Sequence, residues 1–447
     1  MTGSEKTARA VGLTFLRQVS AAVLQLLNIV VIANFAGASE TGHFAVSVAL
    51  AQVITLFMGL GAAPALVHFV AKQEVSERSA IALAIYLSLI SIGLSLLALA
   101  GVGKWAPFLF PDTPSGLFSS LPIAIVGLAA NANLLAILQG KQDFRAYNFG
   151  LLAPPLIAAP ITLAVAVLFE LSAVRAVWIW ASSHLIATSL IVLNILGKNW
   201  LRDRSLENNR SVSVSTLLRF GWRAHVSNTT TFLIYRTDIF LVNWFMGATA
   251  VGLYTIAVHI AEKMWMISTS VTTVFFPRVS ESSGRSESRQ EVSGSVVVAA
   301  QAVAFSTFMV ALVLSVLANV LVVLLFGSEF IEASPALRIL LFGAAVFSIA
   351  RVFAVAVTAS GHPEIMMWVS LVIMTANVIA NIALIPLFGI SGAAISTAAS
   401  YTVAAILNSL VFARIFEYSW WRLFDSRPLS RVCVALYRER RGFRRDG

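Results

Sequence analysis

The chain has 447 residues, of which 58% are hydrophobic and 12% charged, with a mean hydropathy of +0.85. Soluble proteins carry roughly 25% charged residues, so a soluble class is excluded, and apolar stretches such as "LAIYLSLISIGLSLLALAGVG" (83–103) recur from end to end. The net charge of +10 would suggest a nucleic-acid partner in a soluble protein, but in a membrane chain it reports orientation; the single cysteine, Cys433, excludes a disulfide framework and a Cys-based metal site.

Twelve spans are predicted, at 11–36, 43–71, 79–103, 117–139, 147–169, 174–196, 219–246, 250–277, 294–326, 335–360, 364–386 and 390–416. Each is long enough to cross a hydrocarbon core of roughly 30 Å as a helix. Polar or Gly/Pro-rich turns are expected between them. None shows the ten-residue alternation of a barrel strand, so the class is an all-α polytopic membrane protein. The first span is too long for a cleavable signal and has no A-x-A site after it. Of the 31 Lys and Arg residues, 25 fall on the side that holds both termini, three on the other side, and three (Arg236, Lys263 and Arg351) inside spans. That bias places both termini in the cytoplasm.

The units expected are an N-terminal six-helix lobe (1–200), a cytoplasmic linker (201–218), a C-terminal six-helix lobe (219–416) and a basic cytoplasmic tail (417–447). The tail mixes Trp and Leu with Arg. It reads either as a segment lying on anionic membrane lipid or as a solvated anchor.

"FAGASETGHFAVSVALAQ" (35–52) repeats in "FMGATAVGLYTIAVHIAE" (245–262) at a shift of 210, with Gly37/Gly247, Ala38/Ala248 and Gly42/Gly252 identical and Phe44/Tyr254 similar. "LFELS" (168–172) and "LFGIS" (387–391) give a weaker echo. Duplication of a unit with an even number of spans makes parallel repeats about an axis along the membrane normal. A cleft is then expected between the two lobes.

Charges inside a membrane are costly, so they are rarely idle. On the helix predicted for span 7, His225, Thr229, Phe232, Arg236 and Asn243 share one stripe, and Asp238 lies about 200° round from Arg236. On span 8, His259, Glu262 and Lys263 share a face. Arg236–Glu262 and Asp238–Lys263 pairs are both compatible with this. As a functional set, Arg236, Lys263 and Arg351 would form a cationic cleft wall for a phosphate group; as a structural set, they would only fix helix packing. We expect Arg236 to meet substrate and Asp238 to pair with Lys263. Asn28 and Gln52 stand where the second copy has Asp238 and Glu262. The amides, with His225 and Asn243, are further cleft candidates, and the two carboxylates are the candidates for ion coupling. Arg17 reads as a residue snorkelling to the interface, and His68 and His225 as packed groups rather than proton carriers. No enzyme motif, no metal site and no cofactor is expected, with coupling to protons or sodium left open.

The turn "F-x-G-A-[ST]-x-x-G-x-[FY]-x-[VI]", "GLGAAPALVHFVAK" (59–72), "YRTDIFLVNWFMG" (235–247) and "FFPRVS" (275–280) resemble the Wzx-type oligosaccharide flippases of the multidrug/oligosaccharidyl-lipid/polysaccharide superfamily. The resemblance covers essentially the whole chain. It implies a MATE-like, V-shaped pair of lobes in a bacterial cytoplasmic membrane. It also implies a polyprenyl-diphosphate oligosaccharide turned from inner to outer leaflet by alternating access, with polysaccharide-assembly proteins as partners. Cell-wall precursor flippases of this superfamily usually carry two further helices, for which the reading leaves no room. A multidrug/cation antiporter of the same fold would prefer carboxylates in spans 1–6, and a membrane polymerase or glycosyltransferase would need a large outer loop; neither feature is found.

Overall fold

The computed structural model describes residues 3–109, 113–198, 212–272 and 286–418. Most of the expected linker, the tail beyond 418, Cys433 and the "FFPRVS" stretch lie outside the described residues. The helices, in chain order, are α1 (Gly3–Met58), α2 (Ala62–Ala71), α3 (Glu77–Leu109), α4 (Ser115–Gly140), α5 (Phe144–Leu168) and α6 (Ala173–Gly197). They continue as α7 (Val214–Glu262), α8 (Ser286–Val316), α9 (Ala318–Phe326), a 3-10 turn (Ser328–Phe330), α10 (Ala333–Ala359) and α11 (Pro363–Ile415). Among the described residues all regular structure is helical, and nine helical segments are long and apolar enough to cross a membrane.

An apolar surround offers no partner for free backbone groups, so helices that close their own hydrogen bonds are the natural solution. Their ends carry the expected signals. Asp143 caps α5 at the Ala146 amide, Ser172 caps α6 at Arg175, and Ser213 caps α7 at Thr216. Inside the helices, Ser47, Ser88 and Thr307 donate their hydroxyls to the carbonyls four residues back, which satisfies the donor within its own helix.

The three longest helical segments fall where pairs of spans separated by turns were expected. Each is two helices joined at a single residue with non-helical angles, at Gly37 (φ 82°, ψ −178°), Gly247 (φ 78°, ψ −179°) and Gly389 (φ 60°, ψ −139°). At Gly37 and Gly247 the backbone lies in a region that only glycine enters freely. Two positions paired by the repeat thus have the same geometry to within a few degrees. Replacing either glycine by alanine is expected to cost on the order of 1–3 kcal/mol, read as a lower melting temperature in detergent; an unchanged melting temperature would mean the bend relaxes without cost.

Three predicted spans are broken. The 43–71 span divides at Leu60 (φ 50°) and Gly61 (φ 75°), the 294–326 span at Leu317, and the 250–277 span at a turn after Glu262. Apolar composition continues across the breaks at 60–61 and 317, which is why the sequence reads through them.

In the N-terminal half α1 packs on α3 to α6; in the C-terminal half α7 packs on α10 and α11, and α8 on α10. The halves meet where α1 and α2 face α7. Many of the buried residues are alanines, as expected where helices approach closely without a hydrophobic drive from lipid. At the end assigned to the outside, the two copies of the repeat touch reciprocally. A Cβ on Gly42 would lie 1.8 Å from the Ala248 carbonyl oxygen, and one on Gly252 would lie 2.0 Å from that of Ala38. Glu329 accepts from the Ala38 amide at 3.1 Å, and Asn34 donates to the Leu325 carbonyl at 2.7 Å, closing this end further. Nearer the other end, Gly61 and Gly221 pass backbone to backbone, and the His68 ring stacks on Phe220 at 4.0 Å.

Candidate substrate cleft

Between those two contacts lies a cavity of about 350 Å3. One wall is the second limb of α1 and the start of α2, with α3 and α4 behind; the other is α7. Its polar lining is Gln52, Thr55, Ser91, Asn133, His225 and Asn228, with Phe232 beside them. None of its lining residues is charged.

His225 and Phe232 face the cavity, whereas Thr229 and Asn243 are buried elsewhere. Of the N-terminal amides, Gln52 lines it, and Asn28 does not but is 9% exposed with no hydrogen bond to its Oδ1 among the described residues. The sequence reading missed Ser91 and Asn133. Single serines and asparagines in spans are unexceptional, and only the packing of α3 and α4 behind α1 brings them here.

The charges are arranged differently from the expectation. Arg236 donates to Glu262 at 2.8 Å and to the Tyr235 carbonyl at 3.1 Å, with the two charged side chains 21% and 15% exposed. Asp238, expected to pair with Lys263, instead accepts the Tyr254 hydroxyl at 2.6 Å, the Ile239 amide at 2.8 Å and the Thr397 hydroxyl at 3.4 Å. The physical reason is the bend. The second limb of α7 folds back from Gly247 so that Tyr254 stands beside Asp238. Lys263, next in sequence to Glu262, is about 100° further round and points away. Its ammonium reaches Gln25 on α1, in the other half, at 3.5 Å.

A signal for Tyr254 was present in the repeat. Asp238 and Tyr254 align with Asn28 and Phe44. The hydroxyl donor occurs only in the copy that has the carboxylate. Arg351 forms no salt bridge among the described residues, and it does not border the cavity. It donates to Thr269 at 3.0 Å and lies 5.5 Å from the Trp265 ring centroid. Tyr235, Trp265, Phe347 and Tyr401 form an aromatic cluster there. A void of about 10 Å3 separates Asp238 from Glu262 within the C-terminal half, room for about one water. Arg17 hydrogen-bonds Asn148 in the N-terminal half at 3.3 Å. No cluster of His, Cys, Asp and Glu fit for a metal occurs among the described residues.

Depth can be counted from the two bends, which the reciprocal glycine contact holds level. Gln25 is 12 residues before its bend and Gln52 is 15 after it; Arg236 is 11 before its bend and Lys263 is 16 after it. At 1.5 Å per residue these four side chains fall within about 8 Å of depth. The rest of the cavity extends from that level away from the two bends.

A family model described as "Polysaccharide biosynthesis protein" matches residues 7–283. The relative "Probable flippase AglR" of Haloferax volcanii is 26% identical over 226 residues, 49% of this chain and 46% of the relative, so the match reaches about half the relative's length. Among solved structures, "Lipid II flippase MurJ, inward closed conformation" superposes with a TM-score of 0.68 at 14% identity, covering 92% of this chain and 91% of that one. A mutant of the Vibrio cholerae MATE transporter VcmN gives 0.65 at 14% identity, covering 93% and 97%. At these identities the structural likeness establishes the fold alone.

Proposed function

Because the chain belongs to the polysaccharide biosynthesis protein family, we propose that this multi-pass membrane protein is a flippase that turns a polyprenyl-diphosphate oligosaccharide from the inner to the outer leaflet, without chemical catalysis. The observation that carries the reading is Lys263. Of the three intramembrane cations, Arg236 is paired with Glu262 and Arg351 is held against an aromatic ring, while the Lys263 ammonium reaches between the halves to an uncharged amide. A diphosphate entering a site of low dielectric needs such a donor, and a lysine that forms no salt bridge with a carboxylate among the described residues supplies it without first breaking one. The phosphate-binding role passes from Arg236 to Lys263; Arg236 positions Glu262.

Each limb of the bent helices counts as a separate crossing in this reading, giving twelve. The termini are cytoplasmic on the Lys/Arg bias, and the bacterial membrane rests on the sequence resemblance alone. Partners are the lipid-linked glycan, membrane lipid and the proteins that build and polymerise the glycan. Ion coupling falls to Asp238 rather than Glu262, since Glu262 is already neutralised by Arg236, whereas Asp238 is 2% exposed and forms no salt bridge among the described residues. The antiporter alternative is disfavoured by a cavity with no carboxylate for an organic cation.

The test is flipping by the full chain in proteoliposomes, read as access of an external lectin to a polyprenyl-diphosphate oligosaccharide. Lys263→Met is expected to slow flipping at least tenfold at an unchanged protein level, and Lys263→Arg to keep most of the rate. Flipping by Lys263→Met at the parent rate would overturn the assignment.

A further inference from the structure

A second cavity, of about 440 Å3, lies in the N-terminal half, between the start of α5 and the last turns of α4 and α6. Helices α5 and α6 pack mainly on α1, on α4 and on each other, so this cavity is separate from the one that α7 walls. It is charged at one end and apolar along its side. Asp143, Arg145 and Lys198 stand where α5 begins and α6 ends, with Asn194 one turn before Lys198. Phe149 and Leu190 supply the apolar side.

The charges do not cancel. Asp143 is fully engaged, since one oxygen accepts the Ala146 amide at 3.2 Å and the other pairs with the Lys198 ammonium. Arg145 is exposed and forms no salt bridge or hydrogen bond among the described residues. Its guanidinium offers five donors in a planar fork that suits a phosphate. One uncompensated positive charge therefore stands at the polar end, with the Asn194 amide beside it.

An organic cation would meet Arg145 and Lys198 unfavourably. A small free anion would leave the apolar side unused, and a neutral lipid would leave the guanidinium unmatched. A molecule with an anionic head and apolar chains satisfies both ends. The apolar side runs on along the surface that a bilayer would cover: Phe149 is 50% exposed, Leu190 37%, and Leu193, one turn further along α6, 64%. The volume suits a glycerophosphate head, being within the roughly 300–1,000 Å3 usual for small-molecule sites. Basic pockets between helices near the cytoplasmic surface are a general form of site for phospholipid heads.

We propose that this cavity binds the head of an anionic phospholipid, with Arg145 on the phosphate, Asn194 beside it, and the acyl chains laid along Phe149, Leu190 and Leu193. In the orientation proposed above the lipid comes from the inner leaflet. It joins the start of α5 to the end of α6, where the Asp143–Lys198 pair already links them. The site lies outside the substrate cleft and depends on neither Lys263 nor the flippase reading.

The experiment measures binding of short-chain phosphatidylglycerol and phosphatidylcholine to the purified full chain in detergent, by mass spectrometry of the intact complexes. The parent is expected to bind phosphatidylglycerol at least tenfold more tightly. Arg145→Gln, at an exposed position with no partner to lose, is expected to abolish that preference, and Arg145→Lys, which keeps the charge without the fork, to keep part of it. Leu190→Trp fills the apolar side and leaves every charge in place; it should weaken phosphatidylglycerol at least tenfold, so a fault in one variant does not decide the outcome. Lys263→Met should leave the preference unchanged, and inorganic phosphate at equal concentration should not displace the lipid. Equal binding of the two lipids by the parent, or a preference that survives both Arg145→Gln and Leu190→Trp, overturns the proposal. So does displacement by inorganic phosphate, which would mark a simple anion site. A preference lost in Lys263→Met but kept in Arg145→Gln would put the lipid in the cleft and overturn it as well.

Discussion

Glu262→Gln is expected to lower the stability of the folded protein by about 3–5 kcal/mol, because it leaves Arg236 charged and without its partner inside the membrane region. The pair is short, at 2.8 Å, and both side chains are less than a quarter exposed, so solvent screens it little. Removing both charges should recover most of the loss. Arg236→Met with Glu262→Met restores a neutral, packed contact, whereas either single substitution strands a charge. The measurement is the melting temperature and the yield of monodisperse protein for the two singles and the double. A double variant no better than the singles would show that the pair is not a closed unit and that one of the charges has a further partner.

The second large effect is on transport. Asp238→Asn preserves size and can still accept the Tyr254 hydroxyl, so the amount of folded protein should stay near that of the parent. Flipping driven by an imposed proton or sodium gradient should fall at least tenfold, because an amide cannot exchange a proton or balance a cation. Tyr254→Phe should be milder, since Thr397 and the Ile239 amide still hold the carboxylate. Gradient-driven flipping by Asp238→Asn at the parent rate would reduce Asp238 to a hydrogen-bond acceptor that orients α7.

Much of the architecture was legible because it follows from one-dimensional quantities. Apolar length marks the long apolar helices, and the repeat pairs Gly37 with Gly247 and Gly42 with Gly252. The structure makes these pairs equal in backbone angle and reciprocal in contact. Helical spacing also placed Arg236 and Asp238 on different faces correctly. It could not say which neighbour each face meets, because that depends on where a helix bends. A one-residue glycine break between two helices and a longer loop look the same in sequence, yet they set the second helix at different angles. The Asp238–Tyr254 pair is created by such a bend, and the pairing expected with Lys263 failed for the same reason. The cavity was illegible for a related cause. Thr55, Ser91 and Asn133 come from three helices, and no spacing rule links them.

The reciprocal glycine contact has a mechanical consequence. The same residues from each half meet there, so the contact sits on the line that relates the halves. Two bare backbones in touch, with no side chain interposed, can roll on one another without unlocking interdigitated groups. If the halves tilt on one another, the contact is placed to act as their fulcrum. A tilt of about 10° between the halves leaves it nearly still, yet moves helix ends roughly 30 Å away by about 5 Å. The closures near Gly61 and His68 lie at the far end of that lever, where a small rotation opens the widest gap.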